Sequence, residues 1–226
     1  MRRGAYGDAR PELIPLPGIL LEVGLSITNS YATLSGLKDR LGIAGTDTDD
    51  DVALEYVIES VSRWIDELCA RRFYAAAETR YFTAEHSEVI YPGDFTALTA
   101  LYTDDDGDHT YEYTWAATDY DLEPYNAALD GKPYTAIRIT PDGDYSFPVG
   151  VPKGVKVTAT FGYASTAPSA VREACLIQAQ RIWKRHDAPF GVAGSGEFGT
   201  VTLVPKIDPD VKALLWPYMK LGMGAI

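Results

Sequence analysis

The sequence predicts an α+β fold. A small helical core, made of a long helix and a third helix, carries an inserted antiparallel β sandwich or barrel-like domain between extended N- and C-terminal arms. Apolar residues recur at helical spacing on both sides of a central region, and short alternating segments fill that region. Proline and glycine interrupt both ends. We divide the chain into an arm over 1–30, a helical core over 31–77 plus 164–190, a β domain over 78–163, and a glycine hinge with a C-terminal tail over 191–226.

The first 30 residues predict an extended arm, because three prolines and four glycines interrupt their short apolar runs. Arg2 and Arg3 are not followed by an apolar stretch before Pro11, so the pattern is not that of a secretory signal. Arms of this kind are ordered only where something holds them. We therefore expect this one to have a partner.

Two helices are predicted after the arm. Thr33 caps a short helix that ends at Gly42. Thr48 introduces a long helix with three aspartates in its first turn, where the helix dipole favours negative charge. Its apolar stripe has steps of four and three and consists of Leu54, Ile58, Val61, Ile65 and Leu68.

From Glu78 the period changes to two. The predicted strands are rich in Tyr, Thr and Val, and Gly, Pro and Asp clusters separate them. They cover 79–84, 88–91, 97–103, 111–116, 134–140 and 155–163. The helical period returns after Pro168, where Val171, Ala174, Cys175 and Ile182 share one face.

The C-terminal tail follows a glycine-rich stretch and is apolar. Thr200–Val204 is a candidate strand, and Asp208-Pro209 opens a last short helix. Two interpretations stay open: the tail packs on its own core, or it docks on another subunit, as a hinge would allow. The docking residues would be Val201, Leu203, Leu214, Leu215, Trp216 and Tyr218.

The net charge of −12 argues against DNA binding by phosphate neutralisation. The charge is uneven: residues 78–150 carry 15 acidic and three basic residues, whereas 151–226 are net positive by four. No apolar stretch reaches the roughly 20 residues that cross a bilayer, so we expect no membrane partner. Cys69 and Cys175 lie in predicted helices and are expected to be buried free thiols.

The sequence offers no catalytic site, metal site or cofactor site. Asp104, Asp106 and Gly107 fit part of a calcium loop, but Tyr102 and Tyr113 stand where two key carboxylates belong, so a solvated acidic turn is the preferred interpretation. The three histidines are scattered, and the glycines of 191–199 follow a helix instead of opening one. We predict that the chain is not an enzyme and needs no cofactor.

Another possibility uses the aromatic residues of the β region. A stacking surface for sugars would make the β region a carbohydrate-binding module. Alternating aromatic residues on strands are more often core, which disfavours this interpretation. The residues concerned are Tyr111, Tyr113, Trp115, Tyr120 and Tyr125.

The order of several short motifs resembles the head–tail connector (adaptor) family of long-tailed bacteriophages. The likeness covers most of residues 31–220. The motifs are YATLSGLKDRLG at 31–42, DTDDD at 47–51, SRWID at 62–66, CARRFY at 69–74, ETRYF at 78–82, VKVTATFGY at 155–163, APSAVREA at 167–174, KRHDAPFGV at 184–192 and DPDVKALLWPY at 208–218.

This resemblance implies a structural subunit that forms a ring of twelve copies under the portal protein. The tail would grip the portal, a stopper or another tail-side neck protein would lie below, and DNA would pass through without specific binding. The location would be the virion neck, after assembly in the host bacterial cytoplasm. A stopper or tail terminator is the close alternative. The helix-packing residues of the ring body would be Leu54, Ile58, Val61, Ile65, Leu68, Val171, Cys175 and Ile182.

Overall fold

A computed structural model describes residues 28–186 and 207–220. These residues form four α-helices, a 3-10 turn and seven strands in antiparallel sheets, which confirms the predicted α+β class. The elements are α1 (Leu34–Leu41), α2 (Asp51–Cys69), β1 (Ala76–Phe82), β2 (Val89–Ile90), β3 (Phe95–Thr103), β4 (Tyr113–Thr114), β5 (Tyr120–Glu123), β6 (Ala136–Ile139), β7 (Val155–Phe161), α3 (Ser169–His186), α4 (Pro209–Leu215) and the 3-10 turn Trp216–Tyr218.

Helix α1 has the caps that its sequence predicts. The Thr33 hydroxyl accepts the Gly36 N–H at 3.1 Å, and Gly42 ends the helix with φ 74°. Helix α2 begins at Asp51, not directly after Thr48. The preceding residues form a turn instead, because the Lys38 ammonium group binds the Asp47 carbonyl and lies 2.7 Å from the Asp51 carboxylate.

The four helices share one apolar core, which we call the helical core. The buried faces of α2 and α3 pack together, α1 lies against α3, and α4 packs along α3. Phe73, just after α2, and Tyr163, just before α3, close the core at the end that faces the strands. The helical pair therefore brings together two segments that are about 100 residues apart in sequence.

The strands form a second core, which we call the β unit. One sheet has the order β1-β7-β3-β4 and the other the order β2-β6-β5. Phe95 and Tyr134 exchange backbone hydrogen bonds of 3.0 and 2.8 Å, which join the two sheets. Their apolar faces cover a buried cluster that includes Phe147 and Phe161.

Three strand predictions need correction. Strand β1 begins at Ala76, three residues earlier than predicted, and the segment 111–116 is a strand only at Tyr113–Thr114. Strand β5 was not predicted: it has only four residues, in which Tyr120 and Leu122 alternate with two acidic residues. Its pairing with β6 includes an ion pair, in which Arg138 Nε lies 2.7 Å from Glu123 Oε1.

The β unit leaves and rejoins the helical core at one place, because its first and last strands are neighbours. β1 pairs with β7 over seven register positions, from Ala76–Phe161 to Phe82–Val155. Gly162 makes the close turn back possible: its φ is 136°, and a Cβ atom there would lie 2.1 Å from the Tyr74 carbonyl oxygen. Among the described helices, none combines the length and hydropathy that a membrane span requires.

Candidate functional site

The predicted helix-packing residues lie mostly where the stripe places them. Leu68 is half-buried against the helical core. Six others are fully buried in it: Leu54, Ile58, Val61, Ile65, Val171 and Cys175. Ile182 differs, because its side chain is 39% exposed and lies outside the core cluster. Its side chain lines an open groove between α2 and α3, whereas the next residue, Trp183, packs against the core.

Both cysteines are buried free thiols. The Ser62 hydroxyl donates to the Ile58 carbonyl at 2.8 Å and lies 3.6 Å from the Cys175 sulfur, at the contact of α2 with α3. Burial raises the pKa of Cys69 and of Cys175 to about 11. A thiol in this setting packs and does not act as a nucleophile at neutral pH.

The described part of the C-terminal tail packs on its own helical core. The Asp208 side chain caps α4 by accepting the Asp210 N–H at 2.9 Å, and it lies 2.9 Å from the Arg181 guanidinium. Val211 and Leu215 are fully buried. Leu214 is half-buried, and Val201 and Leu203 lie outside the described residues.

Beyond α4 the tail contacts the end of α2. The Tyr218 ring makes edge contacts with Phe73 and Tyr163, both at 5.7 Å between centroids. Among the described members of the predicted docking set, only Trp216 is an exposed large apolar side chain, at 65%. Deletion of the tail would remove Val211 and Leu215 from the core, so we expect it to destabilise the fold.

An ionic joint connects the tail, α2 and the β unit. The Asp94 carboxylate is 5% exposed and lies 3.4 Å from Arg71 Nε and 3.3 Å from Lys220 Nζ. The Asp94 carbonyl accepts the Gly162 N–H at 2.9 Å, and the Lys220 N–H donates to the Cys69 carbonyl at 3.1 Å. Removing one partner would leave buried charge uncompensated, so the joint constrains how the three segments meet.

The start of the described chain is attached to α2 through Tyr31. Its N–H donates to Ser62 Oγ at 3.0 Å, and its hydroxyl bonds the Asp66 carboxylate while accepting the Phe73 N–H at 3.0 Å. Burial is the main cause that raises the pKa of both Tyr31 and Asp66. The segment that follows the arm is thus an integral part of the helical core.

A groove lies open between α2 and α3. Its volume is about 420 Å³ and its surface is mostly apolar. No pattern in the sequence singles it out, because it depends on how the two helices and the tail meet. Its lining residues are Ser60, Val61, Trp64, Gln178, Ile182 and Ile207.

The acidic run after β3 forms a turn. The Asp104 side chain, fully buried, accepts the N–H groups of Gly107 at 2.7 Å and His109 at 2.8 Å. Burial alone would raise the pKa of Asp104, but these backbone N–H groups hold it below its ordinary value. Ligand atoms of Asp104, Asp106, Asp108 and Glu112 lie within 4.8 Å of one another, yet the hydrogen bonds account for the loop without a cation.

The aromatic residues of the suggested sugar-binding surface do not form one exposed face. Trp115 is buried and stacks on Phe147 at 4.7 Å, and its Nε1 donates to Thr103 at 3.1 Å. Tyr120 packs against the same core. Tyr125 is 65% exposed but belongs to a different loop. Of the five aromatic residues, Trp115 and Tyr120 belong to the core of the β unit, whereas Tyr113 and Tyr125 are exposed.

Comparison with known proteins gives structural neighbours only. No family model and no curated protein matches the chain. The neck of an empty gene transfer agent (GTA) particle, computed with C6 symmetry, contains a chain with TM-score 0.54 and 17% identity. The neck of the native particle, computed with C12 symmetry, gives 0.52 and 18%, and the virion of the native particle gives 0.50 and 21%. Each match covers 85% of this chain and 91% of the other.

The chain has the fold of a GTA neck component. The likeness extends over both the helical core and the β unit, because 85% of the chain is matched. At 17–21% identity it shows the architecture alone. The fold agrees with the head–tail connector resemblance that the sequence motifs indicate.

Proposed function

We propose that this chain is a structural, non-enzymatic adaptor in the neck of a tailed phage or phage-like particle. Copies of the chain form a ring, of twelve subunits, between the portal protein and the tail-side neck proteins. The single observation that supports this most is the likeness to a chain of the GTA neck over 85% of the sequence. The C12 symmetry of the native GTA neck supports the number of subunits.

The charge of the chain suits a passage for DNA. The protein carries a net charge of −12, and most of the excess belongs to the sequence of the β unit. Acidic surfaces repel phosphates, so DNA would pass such a ring without binding to it. The particle would be assembled in the bacterial cytoplasm, and the chain would remain in the neck of the virion.

The portal contact is proposed for the exposed part of the tail. Leu215 and Tyr218 are occupied in the helical core, which leaves Trp216 as the described aromatic anchor, with Val201, Leu203 and Leu214 as further candidates. Tryptophan is enriched at the energetic centres of interfaces. Trp216→Ala should weaken portal binding by about tenfold or more, since such anchors contribute at least ~2 kcal/mol.

Native mass spectrometry of the purified chain, alone and mixed with the portal protein of the same particle, tests the function. A ring, or a monomer that joins the portal in about twelve copies, is expected. Tyr91→Ala is the matched control for Trp216→Ala, because both side chains are 65% exposed. A monomer that ignores the portal but binds a tail protein would refute the adaptor role and favour a stopper or tail terminator.

A further inference from the structure

An exposed apolar pair lies on the outer side of α2. Val52 is 54% exposed and Tyr56 is 53% exposed, and the step of four residues places them on one face of the helix. Single exposed apolar side chains are ordinary on a protein surface. Here two of them are neighbours, on a helix whose other side carries the buried stripe of the helical core.

Acidic residues surround this pair. The sequence from 47 to 59 contains six acidic residues and no basic residue. Asp51 is paired within the chain, at 2.7 Å from Lys38, whereas Glu55 has no ion-pair partner among the described residues. Glu55 lies three residues after Val52 and therefore shares its face of the helix. We call Val52, Glu55 and Tyr56 the α2 face.

Basic residues collect at the end of α3. Lys184 and Arg185 are exposed, and neither has an ion-pair partner in the described part of the chain. One turn earlier, Arg181 lies 2.9 Å from Asp208, which brings the start of α4 to this end of α3. Lys212, one turn into α4, is a further exposed cation. We call Lys184, Arg185 and Lys212 the basic end.

The α2 face and the basic end lie at the same end of the helical core. The ring of Phe73, just after α2, lies 5.5 Å from the ring of Tyr163, just before α3, so the two helices are antiparallel and the start of α2 lies at the same end as the close of α3. Among residues 28–186 and 207–220, no ion pair joins the two patches. Opposite charges that one copy cannot pair internally suit a contact in which each copy presents different patches to its two neighbours.

We propose that the α2 face of one copy contacts the basic end of the next copy in the ring, with Glu55 against Arg185 and the Arg185 guanidinium beside the Tyr56 ring. This contact rests on the proposed ring. Copies with a net charge of −12 repel one another, and a contact that joins an acidic patch to a basic one offsets the repulsion. The apolar pair supplies buried surface, and the charges select the neighbouring face.

A charge swap in the full-length chain tests the contact. Glu55→Arg and Arg185→Glu are made singly and together, and native mass spectrometry measures the chain concentration at half assembly, alone and with the portal protein. Each single variant places like charges across every contact of the ring, so we expect this concentration to rise about tenfold or more. The double variant restores opposite charges and should return to within about threefold of wild type. Glu67→Arg is the matched control and should assemble as wild type does, because Glu67 is exposed on the same helix about three turns away.

The outcomes separate this contact from the ring itself. If both single variants assemble as well as Glu67→Arg, the ring stands and its contact lies elsewhere. If the single variants fail and the double variant does not recover, Glu55 and Arg185 do not meet, because independent damage at two sites adds. If the wild-type chain assembles neither alone nor on the portal, the proposed ring is refuted, and the contact with it.

Thiol crosslinking gives a second measurement on the same assemblies. Chains with Glu55→Cys are mixed with chains with Arg185→Cys and treated with a short bismaleimide; the two native cysteines are buried. We expect crosslinked dimers that contain one chain of each kind, in clear excess over a mixture in which Glu67→Cys replaces Glu55→Cys. Equal yields in the two mixtures would overturn the proposal. Dimers formed by one variant alone would also overturn it, because they would mean a two-fold contact between identical faces.

Discussion

Replacing Leu215 by alanine removes a fully buried side chain from the tail's contact with the helical core. Leu215 is 0% exposed and lies in the same cluster as Leu54, Ile58 and Val171. Leu→Ala changes in cores cost about 2–5 kcal/mol. For this fully buried leucine we expect about 3 kcal/mol, within that range, which lowers Tm by roughly 6–12 °C for a chain of this size.

The assay is urea unfolding followed by circular dichroism, with Trp216→Ala as the control. Trp216 is the next residue and is 65% exposed, so its replacement should change stability by less than about 0.5 kcal/mol. The two neighbouring variants therefore separate the two roles assigned to the tail: Leu215 is buried in the core, and Trp216 is the proposed contact with the portal.

A specific result would refute this reasoning. If Leu215→Ala unfolds within about 0.5 kcal/mol of wild type, the tail is not part of the core in solution. The tail would then be a free docking arm, as one interpretation of the sequence allowed. If Trp216→Ala is the more destabilising variant, the assignment of the buried and exposed faces of α4 and the following turn is wrong.

Three further predictions concern the joint, the acidic turn and the thiols. Gly162→Ala should prevent accumulation of folded protein, because the added Cβ would lie 2.1 Å from a backbone oxygen. Gly93→Ala is the control: there is open space around its Cβ, so it should cost about 1–2 kcal/mol of stability. Equal soluble yields and Tm values for the two variants would contradict this prediction. The pKa of Asp104 is lower in the folded chain than in the unfolded chain, so its stabilisation is present above about pH 4 and is lost as pH falls through the folded value. The Tm of Asp104→Asn should therefore fall less than the Tm of wild type between about pH 5 and pH 2. An equal fall in both proteins would contradict the stabilising role of the Asp104 carboxylate. Cys69 and Cys175, with pKa values of about 11, should not react with a thiol reagent at pH 8 until the chain unfolds; rapid labelling of the native protein would show an open core.

The helices could be predicted because their signals are local. The stripe runs along most of α2, a helix of 19 residues, and capping residues mark both ends of α1. The predicted start of α2 was wrong because Lys38, from another helix, holds the preceding turn. The exposure of Ile182 could not be predicted, since it depends on the groove that α2 and α3 leave between them and not on the period of α3.

The candidate sites were harder to predict than the elements. Strand β5 is only four residues long, too short for its alternating pattern to stand out, and it is held by pairing with β6 and by an Arg138–Glu123 ion pair. Asp94 and Lys220 are 126 positions apart in sequence, and no spacing rule connects them. The groove residues come from three separate segments. Sites of this kind arise only after the core has packed, whereas sequence periodicity reports the packing face of one element at a time.

Because β1 and β7 are neighbours, the β unit can change in length without moving its two connections to the helical core. Both strands attach to the helical core at one end, next to Gly162, while the acidic turn and β4 lie elsewhere in the unit. Insertions and deletions in the β unit's exposed loops therefore change its size without moving the two attachment points. A chain built on this plan can therefore change the length of its β unit while the helices keep the same spacing.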